Sequence, residues 1–236
     1  MNSVRNVLLT VASVLAASVV SAGPITVFSG QDDGAGTGGP FPGSTAAQTA
    51  FLAAAGPLDL LTFESLATGY TDPIAAATGV TIAIGAPNYG VPFSGINDTT
   101  FGGLYGFNTT AGGDQWLGFP NGSATFQFAS GVSAFGMWIT GIQTGFTSTF
   151  ALMFNDGSSQ TLNIPINVAG GAQFFGFTDP GASIAAITIQ DISGDAWGID
   201  DVRYSSQAVP EPTTLLLFGS GLAAAALRRR RKTQVQ

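Results

Sequence analysis

The chain has 236 residues, with 7 Lys and Arg against 14 Asp and Glu, and neither His nor Cys. Without His there is no Ser-His-Asp triad, and without Cys there is no thiol nucleophile, disulfide, Fe–S cluster or ordinary zinc site. Between Gly23 and Ala208 stand 13 acidic residues and one Arg, 1 − 13 = −12, and an acidic body without a basic patch excludes nucleic acid as a partner.

Residues 1–22 read as a secretory signal peptide. Arg5 supplies the positive start, Val7 to Val20 the apolar stretch, and Val20-Ser21-Ala22 the small residues of a cleavage site that leaves Gly23 first. Residues 23–57 read as a Gly-rich loop and a short helix leading into the body. Ile25, Val27 and Phe28 suggest a short edge strand, while Gln31 to Gly34 and Gly36 to Gly43 suggest loop, with Asp32 and Asp33 solvated. Ser44 to Ala55 predicts the one helix of the body, capped by Ser44 and ended by Gly56-Pro57, with Ala47, Phe51 and Ala54 on one face.

From Leu58 to Tyr204 the period is two, and this segment is expected to be the folded domain. Strands are predicted at 60–64 and 79–85, then at 124–128, 133–140, 146–154, 159–166, 172–177, 184–190 and 197–204, with an irregular stretch over 86–122. Phe146, Phe150, Leu152 and Phe154 share a face, and Asn155-Asp156-Gly157 is a turn signal. Many short strands and one helix predict a mainly β fold, a single antiparallel β-sandwich of jelly-roll type.

The chain then changes character. Residues 205–212 form a polar, Pro-containing linker. Thr213 to Leu227 is an apolar run of 15 residues, read as a short transmembrane helix. Arg228, Arg229, Arg230 and Arg231 open a basic tail, 228–236, that holds the end in the cytoplasm.

Three carboxylates stand out: Glu64 near the first strand of the domain, and Asp200 and Asp201 in the last. The Asp pair interrupts an apolar strand, so alternation turns one of them inward. A buried carboxylate requires a cation, hydrogen-bond donors, a salt bridge such as one to Arg203, or a shifted pKa. Asp179, Asp191 and Asp195 lack the spacing of an EF-hand and read as solvated turns. In the irregular stretch Tyr89, Tyr105, Asp114, Gln115 and Trp116 offer rings and amides suited to a sugar, or else a small core beneath the loop.

Val209-Pro210-Glu211-Pro212, a short Gly-containing apolar helix and a terminal Arg cluster, in that order, resemble the PEP-CTERM sorting signal of Gram-negative bacteria. The resemblance implies recognition at Val209, Pro210, Glu211 and Pro212 by exosortase. Signal peptidase would act at the other end, and an inner-membrane precursor would end at the cell surface or in the extracellular matrix.

The body more loosely resembles secreted jelly-roll proteins with carbohydrate-binding-module-like sandwiches, through Leu61-Thr-Phe-Glu64, the strand and turn from Phe150 to Gly157, and Trp197 to Tyr204. That likeness implies a structural calcium ion at Glu64, Asp200 and Asp201, and a polysaccharide as partner. The expected role is non-catalytic, structural or adhesive, within a biofilm matrix; a glycosidase using paired carboxylates and an ice-binding protein are the alternatives.

Overall fold

The computed structural model describes residues 24–86, 94–102, 105–142, 148–165, 169–192 and 195–205, with backbone alone at 148 and 190–192. The predicted signal peptide, sorting motif, membrane helix and basic tail lie outside these residues. In chain order come β1 (Thr26–Asp33), α1 (Pro42–Ala55), β2 (Asp59–Leu61), β3 (Ile74–Ala77), β4 (Val80–Gly85), β5 (Gly95–Asp98), β6 (Gln115–Phe119) and β7 (Gly122–Val132). They are followed by β8 (Ala134–Thr140), β9 (Ser148–Phe154), β10 (Ser159–Ile164), β11 (Gly171–Thr178), β12 (Ile184–Ile192) and β13 (Trp197–Tyr204).

One sheet runs β1-β11-β8-β13-β6-β5, with β2 also paired to β13; the other runs β10-β9-β12-β7-β4-β3. Every pairing is antiparallel. From β10 to β13 the chain changes sheet at each step, which gives the expected jelly-roll-type sandwich.

Burial explains two kinds of strand sequence. In the second sheet β4 and the middle of β7 alternate. Ile82, Ile84, Phe126 and Phe128 enter the core, while Thr81, Ala83, Thr125 and Gln127 face outward. In the first sheet β8 and β11 are buried along their whole length, because this sheet is covered on both faces. Phe135, Met137, Phe175 and Phe177 pack toward the second sheet, whereas Trp138 and Phe174 pack outward with Phe51 of α1 and with Phe107. Gly136 and Gly176 are register partners. A Cβ on Gly136 would stand 2.8 Å from Phe174 and 3.0 Å from Phe51, so the glycine leaves a dent that seats both rings.

The structure alters several expectations. β1 continues through Gln31, Asp32 and Asp33, paired with β11 as far as Asp33 opposite Gly171. The sandwich therefore begins at β1, and residues 23–57 are not a mere lead-in. The helix starts at Pro42, and Ser44 does not cap it. Instead the Asp32 carboxylate accepts from Gly43 N at 2.9 Å and Ser44 N at 2.8 Å, and Ser44 Oγ donates to Ala172 O at 3.2 Å. Ala54 is exposed, with Ala55 packed in its place. The strand expected over 60–64 stops at Leu61, since Phe63 lies at φ 67°. β3, β5 and β6 appear where no strand was expected.

Candidate functional site

β13 changes neighbour along one edge. Trp197 to Ile199 pair with β6, whereas Val202 to Tyr204 pair with β2. The change falls at Asp200 and Asp201, where the pairing to β8 slips between Asp200 and Arg203. Asp201 adopts φ 46°. This bulge keeps Ile199 and Val202 both in the core and turns Asp200 to the outer face. A loop from Tyr105 to Asp114 closes over that fork.

Asp200 is 0 % exposed. Its Oδ2 accepts from Thr109 N at 2.6 Å and Thr110 N at 3.1 Å, and its Oδ1 from Asp201 N at 2.8 Å. Asp201 Oδ1 accepts from Thr110 Oγ1 at 2.9 Å. Glu64 holds the other end of the loop: Oε2 accepts from Asp114 N at 3.0 Å and Oε1 from Gln115 N at 3.0 Å. A side chain on Gly113 would collide with the Glu64 carboxylate. Asn108 folds the loop on itself, accepting from Thr110 N at 2.8 Å and donating to Gly113 O at 2.6 Å. Thr140 joins it to β8 by exchanging hydrogen bonds with Phe107 N and O, at 2.9 and 3.0 Å.

Burial is the largest influence on Asp200 and pushes its carboxyl up. The bond from Thr109 N opposes that, the charge of Asp201 reinforces it, and the remaining N–H donors oppose it again; the outcome is about 7. Such a value suits proton transfer near neutrality, but the closed loop denies this carboxyl any substrate. The three carboxylates named from the sequence thus serve one loop, from its two ends. Their lone pairs take N–H and O–H donors, and among the described residues no three acidic side chains gather in the manner of a metal centre. This donor set does not fit a calcium cage.

The sugar-contact set is divided. Trp116 is 1 % exposed and donates from Nε1 to Tyr105 O at 2.7 Å, and Tyr105 is buried too. Neither presents an open ring, and the small-core reading is the one observed. Asp114 is exposed and Gln115 half-buried; with its amide nitrogen turned inward, Gln115 donates to Phe63 O at 2.7 Å. Tyr89 lies outside the described residues. Asp179, read as a solvated turn residue, is instead buried. The partners that sequence reasoning missed are Asn108, Thr109, Thr110 and Thr140. Nothing local marks Thr109, Thr110 or Thr140, because the Asp200 carboxylate and the Phe107 backbone that they meet lie far away in the chain, whereas Asn108 bonds within its own loop.

The family described as the PEP-CTERM protein-sorting motif matches residues 208–231. No curated protein matches the chain. Among solved structures, the K2 cleaved adhesin domain of Lys-gingipain aligns at 14 % identity and a TM-score of 0.44, covering 64 % of this chain and all of that one. The CBM22-1–GH10 modules of Clostridium thermocellum xylanase 10B, complexed with xylohexaose, align at 12 % identity and 0.36, over 64 % of this chain and 28 % of that one. TmCBM61 in complex with β-1,4-galactotriose aligns at 13 % identity and 0.25, over 65 % and 90 %. The strand order makes the body a jelly-roll-type β-sandwich, and the family match sets a PEP-CTERM protein-sorting motif after it, which implies an exported protein.

Proposed function

We propose that this protein is a non-catalytic surface or matrix component, delivered by exosortase and holding neutral polysaccharide through its sandwich. The observation that carries the reading is the position of the sorting motif. β13 ends at Tyr204, Ser205 is fastened by its hydroxyl to Ser133 N at 2.8 Å and Ala134 N at 3.1 Å, and the motif begins at 208. Processing at Val209 to Pro212 releases the sandwich without removing any of its strands. Before processing, the apolar run 213–227 and Arg228 to Arg231 hold the precursor in the inner membrane.

The non-catalytic reading is supported by the three carboxylates, which are occupied in fastening a loop, whereas a glycosidase needs two carboxyl groups facing each other across an open sugar site. The outward face of the second sheet supports contact with a neutral polymer. Thr81, Gln127, Thr125, Thr188, Thr161 and Asn163 present hydroxyl and amide groups there without charge. Thr125 and Thr188 lie opposite one another with hydroxyls 2.9 Å apart.

The delivery is tested by replacing Glu211 with Ala, and separately Arg228 to Arg231 with Gln, and following the protein by cell fractionation. Both variants should accumulate as full-length precursor in the inner membrane. Surface display and processing equal to wild type would overturn the exosortase route.

A further inference from the structure

One end of the sandwich opens into a cavity of about 550 Å³, bounded by the start of β1 and by the turns β9–β10 and β11–β12. Pro24, Ile25, Phe154, Asp156, Asp179 and Ser183 are among its walls. Asp179 is 2 % exposed, and its Oδ1 is buried with no hydrogen-bond partner among the described residues. Its main chain, by contrast, is satisfied: the N–H donates to Ser133 O at 2.7 Å and the carbonyl accepts from Ala182 N at 3.0 Å. Burial pushes this carboxyl up. A buried carboxylate without a partner is unfavourable until a donor or a cation meets it. The other acid of the cavity, Asp156, is exposed and already accepts from Ser158 N at 2.9 Å and Ser158 Oγ at 2.7 Å.

The side chains of the body do not supply that cation. Arg203 is the one basic residue between Gly23 and Ala208. It belongs to β13, and its Nε donates to the Gln48 side chain of α1 at 3.3 Å, on the helix-covered face of the first sheet. Thr26 is paired with Thr178, so the same antiparallel progression sets Ile25 across from Asp179, and both line the cavity. Residues opposed in this way lie about 4.5–5.5 Å apart. Pro24 lines the cavity, and one residue of chain spans about 3.6 Å.

We propose that this cavity is a receptor site for a primary ammonium group, and that its ligand is the α-ammonium of Gly23, received by the Asp179 carboxylate. The inference rests on the export reading above, with signal-peptide removal after Ala22. Hydrolysis of the Ala22–Gly23 bond consumes one water: the carbonyl carbon of Ala22 gains the hydroxyl, and the nitrogen of Gly23 gains a proton. A second proton from solvent makes that nitrogen cationic at neutral pH, while Ala22 leaves as a carboxylate. In the precursor the same nitrogen is an uncharged amide, so the ion pair is available only to the cleaved chain, and processing stabilises the fold it exposes.

The composition provides a selective probe. The one lysine of the chain is Lys232, beyond the sorting motif, so mild acetylation of the tail-processed, exported protein modifies the α-amine alone. Melting temperature is measured before and after acetylation in wild type and in Asp179→Asn, with the modified position read by mass. Acetylation should lower the wild-type value by several degrees and leave the variant unchanged. The pH dependence of the acetylation rate should put the wild-type amine above the ordinary range of about 7.7–8.0 and the variant's within it. Equal effects in the two proteins, or a wild-type amine titrating in the ordinary range, overturn the proposal. If the variant does not fold, the wild-type titration decides alone. The intact mass of exported protein tests the export reading separately: a first residue other than Gly23 defeats that reading, and the receptor is then tested on protein given a Gly23 terminus by removal of a cleavable leader in vitro.

Discussion

Asp200 carries a proton at a pH where most carboxyls have lost theirs, and that has a direction. Its folded pKa of about 7 lies above the unfolded value near 3.9, so the folded state binds this proton more tightly. The stability tied to it is complete below the unfolded value and is lost as pH rises to about 7; a rise of that size corresponds to at most about 4 kcal/mol. Asp200→Asn keeps the shape without the titration. The melting temperature of wild type should fall from about pH 4 to about pH 7 more steeply than that of the variant, and parallel profiles would remove Asp200 as the cause. The interruption of an apolar strand by Asp200 and Asp201 was legible in the sequence; Glu64 was grouped with them as a calcium ligand, whereas it lies beyond β2 and fastens the other end of the loop. What they hold was not legible, because Thr109 and Thr110 gain their meaning only when β13 forks between β6 and β2. The same gap hid Asp179: a turn with Pro180 and Gly181 looks solvated until the β9–β10 turn closes beside it.

At the scale of the element, α1 shows how a helix start can be specified from another part of the fold. No side chain next to Pro42 caps it. Asp32, ten residues earlier and on an edge strand, supplies both acceptor oxygens. Partial burial works against its charge, but the bonds from Ser44 and Gly43 prevail and hold its carboxyl below the ordinary range. Asp32→Ala should therefore destabilise the protein by about 1 kcal/mol near neutral pH, as a lost cap does, measured by urea unfolding. Because the folded pKa is depressed, this contribution is present above the unfolded value and fades as pH drops through the folded one. A variant as stable as wild type would show that α1 stays docked by Phe51 alone. The strands of the second sheet other than β3 were legible through their alternation, and β8 and β11 through their largely apolar runs. β5 and β6 were not, since β5 is short and holds Gly95, Asn97 and Asp98 around one Ile, and Gly118 interrupts the apolar residues of β6. β2 ends early because Phe63 takes a left-handed conformation, which periodicity does not reveal.

For the whole molecule, the two faces of the sandwich differ in kind. One is roofed by α1 and the loop from Tyr105; the other presents the hydroxyl and amide groups of Thr81, Thr125, Gln127, Thr161, Asn163 and Thr188. If the open face is the polysaccharide surface, binding to a neutral polymer should persist unchanged from low to high salt, because no ion pair contributes. A Thr125→Glu, Thr188→Glu double variant, with like charges placed opposite each other, should lose retention on an insoluble neutral glucan while remaining folded. Retention equal to wild type would move the contact elsewhere. The threonines of this face are scattered through the sequence, and only the register lines them up. The route from fold to anchor also has a mechanical consequence. The tail leaves from β13, which is hydrogen-bonded to β8 along one edge and to β6 and β2 along the other. A pull on the anchored end therefore runs along an interior strand, perpendicular to its ladder bonds. Those bonds resist together, in shear, instead of opening one at a time as they would if the tether left from an edge.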